Sequence, residues 1–152
     1  MDPMALALEE ARKALDEGEI PVGAVLIRGE DVLWADHNRR EQSGDPTAHA
    51  EILCLRHGAE AVGNWRLNDC TLYVTLEPCP MCAGAMVMSR LGKCIYGAAD
   101  PDRGCCGSVY DLPADPAFQS VTEWQAGVLE EECQALLTGF FQKKRDLSRK
   151  NT

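Results

Sequence analysis

Two separated segments constrain the fold of this chain more than any other feature of its sequence. The first contains His49 and Glu51, and the second contains Cys79 and Cys82. One imidazole and two thiolates form a nitrogen and sulfur ligand set that favours zinc over magnesium or calcium. The chain must therefore fold so that these two distant segments meet.

This ligand set leaves one coordination position open. Three protein ligands, His49, Cys79 and Cys82, occupy three corners of a tetrahedral zinc ion, as in catalytic zinc sites. Zinc lowers the pKa of a water molecule in the fourth corner from ~15.7 to ~7, so hydroxide is available at neutral pH. Glu51 is too close in sequence to His49 to be a comfortable further ligand, but its carboxylate can carry protons to and from this water. The residues predict a hydrolytic site with one zinc ion and Glu51 as the catalytic residue.

The Cys79-x-x-Cys82 pair taken alone has two other interpretations, a redox dithiol and half of a structural zinc site. A structural site needs a fourth protein ligand, and the chain contains no second Cys-x-x-Cys. The proline before Cys79 and the upstream His-x-Glu favour the catalytic interpretation.

The complete pattern, His49-x-Glu51 followed by Pro78-Cys79-x-x-Cys82, resembles the signature of the zinc-dependent nucleobase deaminases. The resemblance extends over nearly the whole chain. In detail, the sequence is similar to the bacterial tRNA-specific adenosine deaminases. The stretches that carry it are residues 21–25, 45–51, 72–79, 82–86 and 132–141. It implies a cytidine deaminase-like fold and hydrolytic deamination of adenosine to inosine at the wobble position of a tRNA anticodon. It also implies a homodimer.

The same resemblance implies a set of substrate-binding residues. Asn38 matches a family position that contacts the target nucleoside, and Asp100 matches one near the sugar of the flipped nucleotide. Ala48, beside His49, is assigned to the same pocket. Phe141 lies just off the apolar stripe of the last helix and is the better candidate for a base contact than Phe140, which follows the stripe. Arg145 is expected to contact the RNA.

The charge of the chain argues at first sight against a nucleic-acid substrate, because the net charge is −9 and polyanions are bound through lysine and arginine. The distribution matters more than the sum. Five of the fifteen basic residues lie near the C-terminus with one acid, Asp146, among them. These basic residues are Lys143, Lys144, Arg145, Arg149 and Lys150. We expect a local basic patch from about residue 143 on an otherwise acidic protein.

The length of 152 residues suits one domain with a single core. The N-terminus leads directly into a helical pattern, with no signal-peptide features and no apolar run long enough to span a membrane. We therefore expect a cytoplasmic protein that does not associate with membranes. Cys54, Cys70, Cys94 and Cys133 lie singly in apolar stretches and are predicted to be buried free thiols. The adjacent Cys105 and Cys106 are not expected to form a disulfide, because a bond between neighbouring residues would be strained.

The hydrophobic pattern predicts strands that alternate with helices. A first helix has Asp2 as its N-cap and Pro3 at its first position. The expected strands are 22–27, 32–35, 70–76, 93–98 and 121–124, and the strand over 22–27 is expected to be central in the sheet. Later helices are expected to begin near residues 47, 80 and 129. The result is an α/β fold, a three-layer α-β-α arrangement with a mixed sheet of about five strands. Ligand sites in such folds lie at the carboxyl ends of strands, where both metal segments fall.

Three details of this pattern concern histidines. His49 and Glu51 are about 200° apart on an ideal helix, so we place both in the first turn of a helix, facing a cavity at its N-terminus. His37 is predicted to lie in a polar loop, residues 36–45. His57 is predicted to pack on the buried side of its helix, together with Ala61.

Two other functions remain open. A free nucleobase or nucleoside deaminase acting on guanine, cytosine or cytidine would use the same metal site. A catalytically inactive RNA-binding subunit with a structural zinc would be expected to lack Glu51. The basic C-terminal patch and Asn38 favour RNA as the substrate.

Overall fold

The fold is organised around one five-stranded mixed sheet. The computed structural model describes residues 1–150, so Asn151 and Thr152, the end of the predicted basic tail, lie outside the described residues. The strands are β1 (Gly23–Arg28), β2 (Asp31–His37), β3 (Cys70–Leu76), β4 (Lys93–Ala98) and β5 (Glu123–Gln125). Their order is β2-β1-β3-β4-β5, with β1 antiparallel to both neighbours and β3, β4 and β5 parallel.

Helices cover both faces of this sheet. They are α1 (Pro3–Asp16), α2 (Arg40–Ser43), α3 (Ala50–Val62), α4 (Pro80–Met88) and α5 (Glu130–Lys150), with a 3-10 turn at Pro116–Phe118. Helix α1 packs beside α5, and α3 packs beside α4. This arrangement confirms the predicted three-layer fold. Within residues 1–150, no helix combines the length and apolar character needed to cross a membrane.

Helix α1 forms where the sequence predicts it. The Asp2 carboxylate accepts hydrogen bonds from the backbone N–H groups of Met4 and Ala5, at 3.1 and 3.3 Å, and Pro3 occupies the first helical position. Gly23 lets the helix approach β1 closely, because a Cβ there would overlap the carbonyl oxygen of Ala7. The helix therefore packs directly against the backbone of the sheet.

Strand β1 is buried on both faces, as predicted, but it is not the central strand. It pairs with β2 on one side and with β3 on the other, so β3 occupies the middle of the sheet. Strands β3 and β4 run parallel with Leu76 opposite Ala98, which brings their carboxyl ends to the same edge. The second metal segment follows β3 at this edge.

The predicted loop over residues 36–45 is wrong in two places. Strand β2 continues through His37, and α2 forms a short helix after it. The Glu19 carboxylate accepts the backbone N–H groups of Glu41 and Gln42, at 3.0 and 2.8 Å. These two N–H groups lie in the first turn of α2, so a distant acid provides the cap that local sequence lacks.

His37 is therefore a core residue and not a loop residue, with 2% of its surface exposed. Its Nδ1 lies 2.9 Å from Glu10 and its Nε2 lies 2.9 Å from Glu17. Glu10 lies on α1 and Glu17 is the residue directly after it, so the two acids are about two helical turns apart and reach the same ring. Together they satisfy both ring nitrogens, which allows a polar ring to be buried.

The remaining differences are small. Strand β5 starts at Glu123 and not at residue 121, because its pairing with β4 begins with Glu123 opposite Lys93. Ala61 is exposed, whereas His57 is half-buried and stacks on Trp34 with ring centroids 4.3 Å apart. All eight cysteines lie in the described part as free thiols, and the four predicted to be buried are buried.

Candidate active site

The two metal segments meet at the edge of the sheet. His49 Nδ1 lies 3.6 Å from the Cys79 sulfur and 3.5 Å from the Cys82 sulfur, and the three ligand atoms fall within 4.8 Å of one another. With Zn–N and Zn–S bonds of about 2.05 and 2.3 Å, a tetrahedral site has a nitrogen–sulfur edge of about 3.6 Å. The donors therefore fit zinc in both chemistry and spacing. Among residues 1–150, no fourth His, Cys, Asp or Glu joins the group.

The three donors lie at the starts of two helices. His49 is the residue before α3 and has an extended backbone, with φ −77° and ψ 152°. Cys79 holds the same position before α4, and Cys82 follows in its first turn. The N–H groups and the dipole of a helix N-terminus favour thiolates. The site is thus built at two favourable helix ends.

The position of His49 corrects the predicted helix. Helix α3 begins at Ala50 and not near residue 47, so His49 lies outside the helical turn that contains Glu51. The angular separation of about 200° applies only when both residues are helical. An extended His49 can therefore face the same cavity as Glu51.

The ligand side chains share protons when no ion is bound. The pKa of Cys79 is lowered to about 4, first because it accepts a hydrogen bond from the Cys82 thiol and also because of His49. The hydrogen bond to Cys79 raises the pKa of His49, and the same thiolate raises the pKa of Cys82. Metal binding requires deprotonated thiols and a neutral imidazole, so it would release protons from this group.

Glu51 is a buried carboxylate beside the ligands, with 4% of its surface exposed. Burial, followed by the charge of the Cys79 thiolate, raises the pKa of Glu51 to about 7. A general acid–base group works best when its pKa lies near the operating pH. Glu51 therefore has the environment of a residue that takes up and returns a proton at neutral pH.

A cavity of about 690 Å³ opens above these side chains, within the range of about 300–1,000 Å³ usual for small-ligand sites. His49, Glu51 and Cys79 form part of its lining. The other walls come from the segment before β1, from residues 38–40 after β2, from residues 76–77 at the end of β3, from residues 99–103 after β4, and from one face of α5. The residues from these walls include Ile20, Val22, Asn38, Arg40, Asp100, Asp102, Arg103, Gln134, Leu137, Thr138, Phe141 and Arg145.

Most of the predicted substrate residues reach this cavity. Asn38, Asp100, Phe141 and Arg145 all line it, although their roles stay predictions. Asn38 is held in place because its side-chain oxygen accepts the backbone N–H of Arg40 at 3.2 Å. Ala48 is not among the lining residues and is buried, so its substrate role also stays a prediction.

Several lining residues were missed from the sequence. Gln134 and Thr138 precede Phe141 and Arg145 on α5 at spacings of four, three and four residues, which is one helical face. That periodicity was readable once Phe141 was chosen. Arg103 carried no comparable signal, because its position depends on the path of an irregular loop.

Comparisons with known proteins agree with this geometry. The profile of the MafB19-like deaminase family matches residues 1–145. The chain is 47% identical over 151 residues to the tRNA-specific adenosine deaminase of Bacillus subtilis, covering 97% of this chain and 94% of the relative. It is 47% identical over 144 residues to the enzyme of the same name from Haemophilus influenzae, covering 94% and 83%.

Solved structures show the same architecture. A structure from a study of A-to-I editing by tRNA:A34 deaminases superposes with a TM-score of 0.86 at 41% identity, covering 89% of this chain and 98% of that one. A guanine deaminase from Bacillus subtilis has a TM-score of 0.63 at 34% identity, covering 67% and 68%. The chain belongs to the MafB19-like deaminases and, by its identity to these relatives, to the family of tRNA-specific adenosine deaminases.

Proposed function

We propose that this protein deaminates adenosine to inosine at the wobble position of a tRNA anticodon. One observation carries the chemistry: three zinc-type donors and the buried Glu51 meet at the base of a cavity large enough for a nucleoside. The choice of adenosine and of tRNA as the substrate is supported by the two relatives at 47% identity, which are both named tRNA-specific adenosine deaminase.

The proposed cofactor is one zinc ion for each chain, held by His49, Cys79 and Cys82. Two sulfurs and one nitrogen select zinc over the oxygen-seeking cations, and their spacing suits its tetrahedral geometry. Zinc, when bound, supplies the Lewis acidity that makes water a nucleophile near neutral pH.

Glu51 is proposed to move the protons of the reaction. Its carboxylate takes a proton from the attacking water as the new C6–oxygen bond forms, and passes it to N1 of the purine. Glu51 then carries the proton of the new C6 hydroxyl to the amino group, so that the C6–oxygen bond becomes a carbonyl as the C6–nitrogen bond breaks. Ammonia leaves and inosine remains, so the net reaction consumes one water.

The depth of the site restricts the form of the substrate. Glu51 and Cys82 are buried, with 4% and 0% exposure, so an adenine stacked in a helix would not reach them. The target nucleotide must turn out of its stack into the cavity, which costs least in a single-stranded loop. An anticodon loop meets this requirement.

Three arginines around the cavity favour RNA over a free base. Arg40, Arg103 and Arg145 all line the cavity, although the chain as a whole carries a net charge of −9. Phosphate groups are the usual partners of such side chains, and a free nucleobase has none. Beyond Arg145, the basic end of α5 is exposed and would extend the same surface.

Guanine deamination is the second candidate function, because the guanine deaminase neighbour shares the fold at 34% identity. To separate the two, zinc-loaded protein is incubated with an anticodon stem-loop carrying adenosine at the wobble position, and separately with guanine and with cytidine. Inosine is measured by mass spectrometry of the digested RNA, and ammonia release is measured for all three. We expect turnover of the stem-loop alone. Turnover of guanine without any inosine in the stem-loop would reject the tRNA proposal.

Arg145→Glu is expected to weaken stem-loop binding about 10- to 100-fold at low salt. A charge-assisted hydrogen bond contributes about 1.5–3 kcal/mol, and the new carboxylate adds repulsion from phosphate. The measurement is the Kd for the stem-loop at several salt concentrations, where the slope should also become shallower. Arg12→Glu, which changes the same charge on α1 away from the cavity, is the matched control. An equal loss in both variants would mean that net charge, and not Arg145, determines binding.

We also retain two proposals from the resemblance. A tRNA substrate makes the cytoplasm the proposed compartment. A homodimer is the proposed assembly, and the chain exposes several large apolar side chains, among them Trp65, Met88, Phe118 and Val121.

A further inference from the structure

Glu77 is a buried carboxylate that the proposed chemistry does not use. It follows β3 directly and is 2% exposed. One carboxylate oxygen accepts the backbone N–H of Asp100 at 3.0 Å and the hydroxyl of Ser108. The other accepts the backbone N–H groups of Cys106 and Ser108, both at 3.0 Å. Each oxygen therefore receives two donors from one loop.

These donors belong to residues 99–110, which we name the Glu77-bound loop. Its turn is tight around the carboxylate, because a Cβ at Gly104 would overlap all three carboxylate atoms of Glu77. Gly104 donates its N–H to the Asp100 carbonyl oxygen at 2.9 Å. The Asp100 carboxylate in turn accepts the N–H groups of Asp102 and Arg103, at 3.0 and 3.2 Å. The loop is thus wrapped around a single acidic side chain.

One side of the Glu77-bound loop faces the substrate cavity. Asp100, Asp102 and Arg103 line this cavity together with His49 and Glu51. The loop is also tied to its surroundings by the Cys105 N–H, which donates to Pro78, and by the Tyr96 hydroxyl, which donates to Cys106. Neither of these bonds reaches the cavity-lining part of the loop, whereas Glu77 bonds directly to the backbone of Asp100.

We propose that Glu77 is a positioning residue for substrate binding, which fixes the Glu77-bound loop so that Asp100 and Arg103 face the nucleotide. This inference rests on the proposed function for the identity of the substrate. Only a side chain with two acceptor oxygens and this length fits the ring of donors. Glutamine would turn an NH₂ group toward two donors, and the buried N–H groups left without an acceptor would reorganise the loop.

The metal segment is also held by backbone bonds that do not involve this carboxylate. The backbone N–H of Glu77 donates to the Ala98 carbonyl oxygen at 2.9 Å, and the Cys79 carbonyl oxygen accepts from Ala83 at 2.8 Å. These backbone bonds hold the start of α4 whatever side chain follows β3. Removing the Glu77 carboxylate should therefore disturb the loop and leave His49, Cys79 and Cys82 in place.

The test compares Glu77→Gln with Glu10→Gln, the same change in a buried carboxylate on α1. Zinc content, stem-loop kinetics and hydrogen exchange of peptides from residues 99–110 are measured for both variants. For Glu77→Gln we expect loop exchange and KM to rise about 10-fold or more, with kcat within about threefold of the starting value and zinc retained. Glu10→Gln should leave loop exchange and KM unchanged.

Ser108→Ala keeps the carboxylate and removes one donor, so it tests the proposal if Glu77→Gln does not fold. We expect its KM and loop exchange to rise about threefold. Two results would overturn the positioning role. One is loss of zinc from folded Glu77→Gln. The other is unchanged loop exchange and KM in Ser108→Ala and in any folded Glu77→Gln. The exchange measurement needs no substrate. Failure of the unsubstituted protein to deaminate the stem-loop would therefore reject the proposed function separately.

Discussion

Glu51→Gln is expected to lower kcat for the stem-loop by about 10³- to 10⁴-fold while zinc stays bound. Glutamine has nearly the same shape as glutamate, but its amide does not take up and return a proton. General acid–base groups contribute about 10²–10⁴-fold, and here one side chain is proposed to serve both transfers. The measurement is steady-state inosine formation at saturating stem-loop, with metal analysis of the same sample. Glu10→Gln is the matched control and should keep full activity.

The same variant also tests the raised pKa of Glu51, through the pH dependence of the stability of the protein. In zinc-free protein the folded-state pKa of Glu51 is raised from 4.5 to about 7 by burial. The folded state therefore favours the protonated acid, and this contribution to stability is present at low pH and lost as the pH rises through about 7. The Tm of Glu51→Gln minus the Tm of the unsubstituted protein should therefore be more positive at pH 8 than at pH 5. Retained turnover in Glu51→Gln would contradict the proton-transfer assignment.

The chemistry of the site was predictable because it depends on residue types more than on the path of the chain. One histidine and two cysteines form a zinc-type ligand set wherever they meet, and the nearby Glu51 is the proposed acid–base group. The strands were also readable, since β1 and β3 are apolar runs bounded by turn residues. A parallel β3–β4 pair then brings the metal segment to the correct edge of the sheet.

What the sequence did not show are polar groups whose partners are distant. The pattern of residues 36–45 predicts a loop for His37, because its partners Glu10 and Glu17 lie on and directly after α1, which is separated from β2 by another strand. Helix α2 was missed because its cap comes from Glu19. Burial of a polar side chain is favourable only once its partner is in place, and only the assembled fold supplies that partner.

The cavity wall after β4 was missed for the same reason. The stretch after Ala98 has the composition of an ordinary turn region rich in glycine and aspartate, and only the family resemblance indicates a role for Asp100. The loop takes its shape from Glu77, which the sequence presents as part of the metal segment. A local pattern does not reveal that one carboxylate organises a loop more than twenty residues further along the chain.

Cys82→Ser is expected to lose bound zinc and all measurable deaminase activity. Cys82 is fully buried in the first turn of α4, so no other donor reaches its corner of the site among residues 1–150. A serine hydroxyl is a poor zinc ligand near neutral pH, and His49 and Cys79 alone leave two corners of the tetrahedron without protein donors. Metal analysis should fall from about one zinc per chain to less than about 0.1, with a lower Tm because ligand binding stabilises the folded state.

Cys94→Ala is the matched control for this loss, since it removes a fully buried sulfur from β4 outside the metal site. It should lower the Tm through its cavity but keep zinc and turnover. Treating the unsubstituted protein with a strong chelator should reproduce the loss of Tm and activity seen in Cys82→Ser, and added zinc should restore both. Added zinc should not restore Cys82→Ser, because the substitution has removed a side chain that binds the metal. Stoichiometric zinc in Cys82→Ser would show that the ligand set is wrong, and the fourth corner proposed for water would then belong to another residue.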